Sequence, residues 1–192
     1  MKKGKRYLAL TLALLLPVVW AAGCGSGNPP ESGGGVGTRR TVGEIAAGEM
    51  PADFRFSLTW GCYGVSSYDS ATGRLVKTSD ATRPEEYTAT YFLDREELEA
   101  VWREICRIGV FRYPDNYDPH KGQMASSPSM TLILTVQAAG GEKTIACREI
   151  SLGYRAKNPS GQRFLSGCQA IVQRLESSAA WQALPEYEFL YD

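Results

Sequence analysis

The chain has a single histidine, His120, and no G-x-S-x-G elbow. A serine nucleophile needs a base within hydrogen-bond reach, so any histidine-based triad would have to recruit that one imidazole. No two cysteines stand in a C-x-x-C or similarly short spacing, which excludes a dithiol redox motif and leaves no zinc-finger pattern. Charge of one sign is lacking as well: 21 basic residues balance 21 acidic ones. Four of the basic residues, Lys2, Lys3, Lys5 and Arg6, crowd into the first six positions, and without them 17 face the 21 acids. That remainder has no clustered cationic footprint, so nucleic acid is excluded as a partner. Nor is there an apolar run of the roughly 20 residues that cross a bilayer. The longest, Tyr7 to Trp20, has 14.

What is present begins with that run. A basic start, a short apolar stretch and the small residues Ala21-Ala22-Gly23 lead to Cys24. This order is that of an export signal rather than a spanning helix. The segment resembles the leader of bacterial lipoprotein precursors, departing from the usual pattern in having Ala21 where Leu is preferred. The resemblance implies that residues 1–23 are removed and that Cys24 receives a diacylglyceryl group and becomes the mature N-terminus. It further implies a lipid-anchored protein of the cell membrane or outer membrane, facing outside the cytoplasm. Two or three acyl chains, at roughly 0.8 kcal/mol per buried methylene, hold far longer than one.

From Gly25 to about Gly48 the chain reads GSGNPPESGGGVGTRRTVGEIAAG. Such a segment cannot bury enough surface to offset its ordering entropy, so residues 24–49 are expected to form a lipidated, flexible tether. Its mean reach is about 25–30 Å. Its glycines are no phosphate cradle, because no strand precedes them and no Lys-Ser/Thr pair follows.

Residues 50–192 are expected to form one α+β domain. Phe54, Phe56, Leu58, Trp60 and Cys62 alternate with polar residues, the signature of a half-buried strand. Ser70 to Gly73 reads as a turn into a second strand near 75–78, making a hairpin, and Tyr87 to Leu93 as a third strand. Asp94 with Glu97 forms a capping box ahead of an apolar stripe at Leu98, Val101, Trp102, Ile105 and Ile108, and Gly109 is the stop. Met130 to Val136 and Lys143 to Ile150 alternate on either side of Ala139-Gly140-Gly141, a second hairpin. A second amphipathic helix starts near Ser160 and carries Phe164, Leu165, Cys168, Ile171, Val172 and Leu175 on one face. The order β-β-β-α-β-β-α predicts an antiparallel sheet of about five strands with two helices packed on one face.

Four cysteines remain after Cys24. An exported chain permits disulfides, and pairing strand with strand and helix with helix would join Cys62 to Cys147 and Cys106 to Cys168. The loop around Asp115, Asp118 and His120 offers oxygen and nitrogen donors for a metal or an acid–base pair, but it also reads as a turn rich in Pro, Asn and Asp. Tyr63, Tyr68, Tyr113 and Tyr117 fall near strand ends or loops, where aromatic rings could stack on a sugar or anchor a partner. The sequence thus points to a membrane-tethered, non-catalytic binding lipoprotein of the cell envelope with no indicated cofactor and with an envelope protein or glycan as partner. The alternative is an envelope enzyme or metal-binding protein using the Asp115/Asp118/His120 loop.

Overall fold

Phe54, Phe56, Leu58 and Trp60 all point to one side of their strand and are almost wholly buried. A computed structural model describes residues 48–122, 126–151, 153 and 155–189. The leader, Cys24 and the tether to residue 47 lie outside the described residues.

The fold is α+β, built on one sheet of six strands: β1 (Arg55–Trp60), β2 (Ser66–Asp69), β3 (Arg74–Val76), β4 (Thr88–Thr90), β5 (Met130–Ala138) and β6 (Gly141–Ile150). The strand order is β4-β3-β2-β1-β5-β6, with every pairing antiparallel. The first four strands form a meander, and the second hairpin docks on the far side of β1. Helices α1 (Arg95–Ile108), α2 (Pro159–Glu176) and the short α3 (Ala179–Gln182) complete the domain.

The α+β antiparallel architecture is as expected, with one strand more than the roughly five read from the sequence. β1 turns into β2 through 61–65, and β3 pairs with β2 rather than with β1. The turn depends on left-handed backbone at Gly61, Tyr63 and Gly64. A side chain at Gly64 would lie 3.1 Å from Thr59 Cγ2, so the residue serves both the turn and the close approach.

α1 forms as its sequence dictates. Asp94 accepts from the Glu97 N–H at 2.8 Å, Glu97 reaches back to the Asp94 N–H at 2.9 Å, and Gly109 ends the helix at φ 72°. α2 is capped by Asn158, which accepts from the Gly161 N–H, with Pro159 in the first turn. Both helices bury their apolar stripes against the same sheet face, in one core with Phe56, Leu58, Leu132 and Leu134. The opposite face carries small hydroxylic residues, and Thr135 and Thr144 hydrogen-bond across it at 2.9 Å.

Ala139 and Gly140 close the β5–β6 hairpin with φ of 50° and 73°, the pair of left-handed residues a type I′ turn requires. The Asp53 carboxylate accepts both of their N–H groups, at 2.8 and 2.7 Å, and these bonds hold its carboxyl below the ordinary range. Alanine is costly in this conformation. Ala139→Gly is therefore expected to stabilise the domain by about 1 kcal/mol, seen as a higher urea midpoint at unchanged slope.

The described cysteines are all thiols, so the favoured disulfides are not formed. Cys62 lies opposite Met130, and Cys147 opposite Leu132 from the other side of β5. Two strand spacings, roughly 9–10 Å, therefore separate them, beyond the reach of about 7 Å between α-carbons. Cys168 is fully buried toward the sheet, where burial pushes its thiol well above the ordinary range, whereas Cys106 is half-buried on α1.

Candidate functional site

Trp60 ends β1 with its indole buried, and a buried indole N–H needs an acceptor. It finds Glu176 Oε1 at 2.9 Å, on the last residue of α2. The Trp60 ring stacks on Trp181 of α3 with centroids 5.6 Å apart. These contacts draw together the end of β1, the last turns of α2 and the segment after α3. Between them lies a cleft of about 360 Å³. Its walls are mostly apolar, with Trp60, Val65, Met130 and Val172 as lining and Glu176, Gln169 and Gln173 as polar points.

The chain after α3 forms one rim. Tyr187 lines the cleft and Glu188 accepts from the Thr82 N–H at 2.8 Å and from Thr82 Oγ1 at 2.6 Å. These bonds hold the Glu188 carboxyl below its ordinary range. Lys77 lies beneath this rim, only 6% exposed, its ammonium 5.2 Å from the Tyr187 ring centroid and 5.8 Å from that of Trp181. A buried cation over two ring faces is stabilised by their quadrupoles.

Burial pushes the Glu176 carboxyl above its ordinary value of 4.5, opposed by the Trp60 hydrogen bond and the Lys77 charge. An acid whose pKa is higher folded than unfolded binds more protons in the folded state, so stability falls as pH rises through that window. Ionised Glu176 is thus a cost near neutrality. Glu176→Gln keeps an acceptor for Trp60 and is expected to raise the thermal midpoint at pH 7, with the gain vanishing below about pH 4.5. Scanning calorimetry at the two pH values checks this.

The cleft also holds Cys62, whose thiol is pushed up by burial and donates to Met130 Sδ at 3.5 Å. A thioether cannot take its proton, so this contact does not activate the thiol. The site has the chemistry of recognition: apolar walls, one desolvated carboxylate and a rim of aromatic rings.

Among the described residues the exposed large hydrophobics are Tyr63, Phe92 and Phe189, at 59%, 63% and 48%. Phe189 lines the cleft and Tyr63 belongs to the turn beside Cys62. Phe92 instead covers Gly73, where an added side chain would come within 2.9 Å of its ring.

Of the four tyrosines singled out in the sequence, Tyr63 is the exposed one. Tyr68 is a core residue whose hydroxyl donates to the Tyr91 carbonyl at 3.1 Å. Tyr113 is buried and donates to the Ser160 carbonyl at 3.0 Å. Tyr117 is half-buried, edge-on to Tyr113 and Phe164. Tyr68 and Tyr113 are thus closed to a ligand, and Tyr117 is partly so. Each carries an aromatic body into the core and keeps a polar tip for a local bond.

The donors of the His120 loop are each engaged by a neighbour. Asp115 pairs with Lys143, while Asp118 accepts from the backbone of His120 and Gly122. His120 is 9% exposed, and its Nε2 accepts from the Ser151 N–H at 3.2 Å. Among the described residues no three His, Cys, Asp or Glu side chains converge on one point. The loop is tied to the β6 edge by Tyr117 N–H to Ala146 O and Ala146 N–H to Asp115 O. No family model, curated protein or solved structure matches the chain.

Proposed function

We propose that this chain is a membrane-tethered, non-catalytic binding lipoprotein of the cell envelope, anchored through Cys24, whose recognition site is the cleft between β1, α2 and the chain after α3. The observation that carries the reading is the cleft itself: about 360 Å³ with largely apolar walls and an inward carboxylate. This is the size and make-up of a small-ligand or side-chain pocket. The favoured ligand has a compact aromatic or aliphatic body with one hydrogen-bond donor for Glu176, presented by an envelope protein or by a glycan-linked group.

The anchor is tested by mass spectrometry of the native product, which should begin at acylated Cys24. An intact Met1 would remove that part of the reading. The cleft is tested by nuclear magnetic resonance titration with p-cresol and with 4-methylanisole, which has the same body and no donor. We expect p-cresol to shift the Trp60 indole and the amides of Cys62, Ser66 and Val172, and the ether to bind roughly tenfold more weakly. Gln169→Trp, which fills the cleft from a half-exposed helix position, should abolish the shifts and leave the thermal midpoint unchanged. Equal binding of both probes, or shifts centred elsewhere, would refute the assignment.

A further inference from the structure

Cys62 and Met130 face each other across an antiparallel bridge between the turn after β1 and the first residue of β5. Two backbone bonds clamp that bridge, Tyr63 N–H to Ser129 O at 3.1 Å and Thr131 N–H to Gly61 O at 3.0 Å. They join the flanking residues and not the pair itself. This makes Cys62 and Met130 the close pair of the ladder, with α-carbons about 4.5 Å apart and side chains on one face. The sulfurs consequently lie 3.5 Å from each other, and both residues are half-buried in the wall of the cleft.

We propose that this thiol–thioether pair binds a single Cu(I) ion through Cys62 Sγ and Met130 Sδ. Thiolate and thioether are soft donors, the combination that selects Cu(I) over harder divalent ions. Two metal–sulfur bonds of about 2.3 Å subtend a sulfur–sulfur distance of about 3.5 Å at an angle near 100° and about 4.6 Å when linear. A two-coordinate Cu(I) ion favours the near-linear arrangement, so the sulfurs must part by about 1 Å from the observed 3.5 Å, a movement that rotation of the unbranched methionine supplies. Binding exchanges the Cys62 S–H bond for an S–Cu bond and releases one proton to solvent, with no change in oxidation state. Zinc and other ions that require four nitrogen, oxygen or thiolate donors are not served here, because among the described residues no such group converges. Trp60, Val65 and Val172 supply the apolar surround that limits water at the ion. The metal site goes beyond the small-ligand reading and does not depend on it, since the sulfur pair functions without Glu176.

The test uses the full-length chain carrying Cys24→Ser, so that the N-terminal thiol does not compete. Cu(I), supplied anaerobically as its acetonitrile complex, is titrated against bathocuproine disulfonate, and the loaded protein is examined by X-ray absorption. We expect one equivalent of Cu(I) with two protein sulfur scatterers. Met130→Leu, which preserves shape, should weaken binding by at least about tenfold, and Cys62→Ser should reduce it to background. Cys106→Ala, at the other half-buried thiol, should leave it unchanged. Wild-type affinity in Met130→Leu would reduce the site to a lone thiol and overturn the proposal, as would retained binding in Cys62→Ser or loss in Cys106→Ala. Thermal midpoints of each variant establish that the fold is intact, and an unaltered p-cresol titration in Met130→Leu separates the metal site from the organic one.

Discussion

Phe164→Ala is expected to destabilise the domain by about 3–5 kcal/mol. The ring is completely buried on α2, 5.2 Å from the Tyr113 centroid and 5.6 Å from that of Tyr117. Its removal loses the transfer energy of a full aromatic side chain and leaves a cavity that two tyrosines, each tethered through Ser160, cannot collapse into. The effect should extend to the β6 edge, because Tyr117 also pairs its backbone with Ala146. Hydrogen exchange at the Tyr117 and Ala146 amides should accelerate more than at the β1–β5 ladder. Phe164→Leu, which retains most of the volume, should cost less than about 1.5 kcal/mol. A cost for Phe164→Ala below that of Phe164→Leu would contradict the packing described.

Gly167→Ala is expected to cost about 1–3 kcal/mol, against the direction of helix propensity. In an isolated helix alanine is better than glycine by about 1 kcal/mol. Here an added Cβ would lie 2.3 Å from Ile108 Cγ1 and 2.6 Å from its Cδ1, on the neighbouring helix. Ile108 is itself sealed in the core, so α1 and α2 must move apart or Ile108 must leave its rotamer. The cycle with Ile108→Ala, which removes both Cγ1 and Cδ1, isolates this contact. Trimming Ile108 should cost less in the Gly167→Ala background than in the wild type, as measured by urea unfolding. A stabilised Gly167→Ala would mean that the helices do not approach as closely as this.

The elements most legible in the sequence were those whose signals are local. The Asp94–Glu97 box, the stripe from Leu98 to Ile108 and Gly109 define α1 without reference to the rest of the chain, and the structure has that helix. The alternation around Ala139-Gly140 likewise specifies β5 and β6. β2 was not legible for a physical reason. Ser66-Ser67-Tyr68-Asp69 carries one apolar residue, and its partner strand is set by a turn whose left-handed residues include a tyrosine as well as two glycines. Propensity reads that stretch as loop, and cross-strand pairing overrides it. The strand order depends on contacts between distant residues, and local pattern does not encode them.

The site was less legible than the fold. Its residues come from 60–66, from Met130, from the last turns of α2 and from 187–189, segments brought together only by the completed sheet. One signal did exist. Glu176 follows Val172 by four positions on α2, an acid continuing the edge of an apolar stripe, while Trp60 required an acceptor. The histidine is solitary in the sequence, and its Nε2 is occupied by a backbone N–H. Tyr68 and Tyr113 likewise lie at positions that resemble accessible strand ends or loops in sequence but are closed over by α1, α2 and their neighbours.

The most direct measurement is hydroxyl-radical footprinting of the protein in the membrane fraction where the proposed anchor would place it, compared with the same protein extracted and alone in detergent. The proposed cleft site predicts that Phe189, which lines it, and Tyr63, in the adjoining turn, gain protection on the membrane while exposed Phe92 reacts equally in both states. Protection centred on Phe92 or on the Tyr117–His120 segment, with Tyr63 and Phe189 unchanged, would place the recognition surface elsewhere and contradict it.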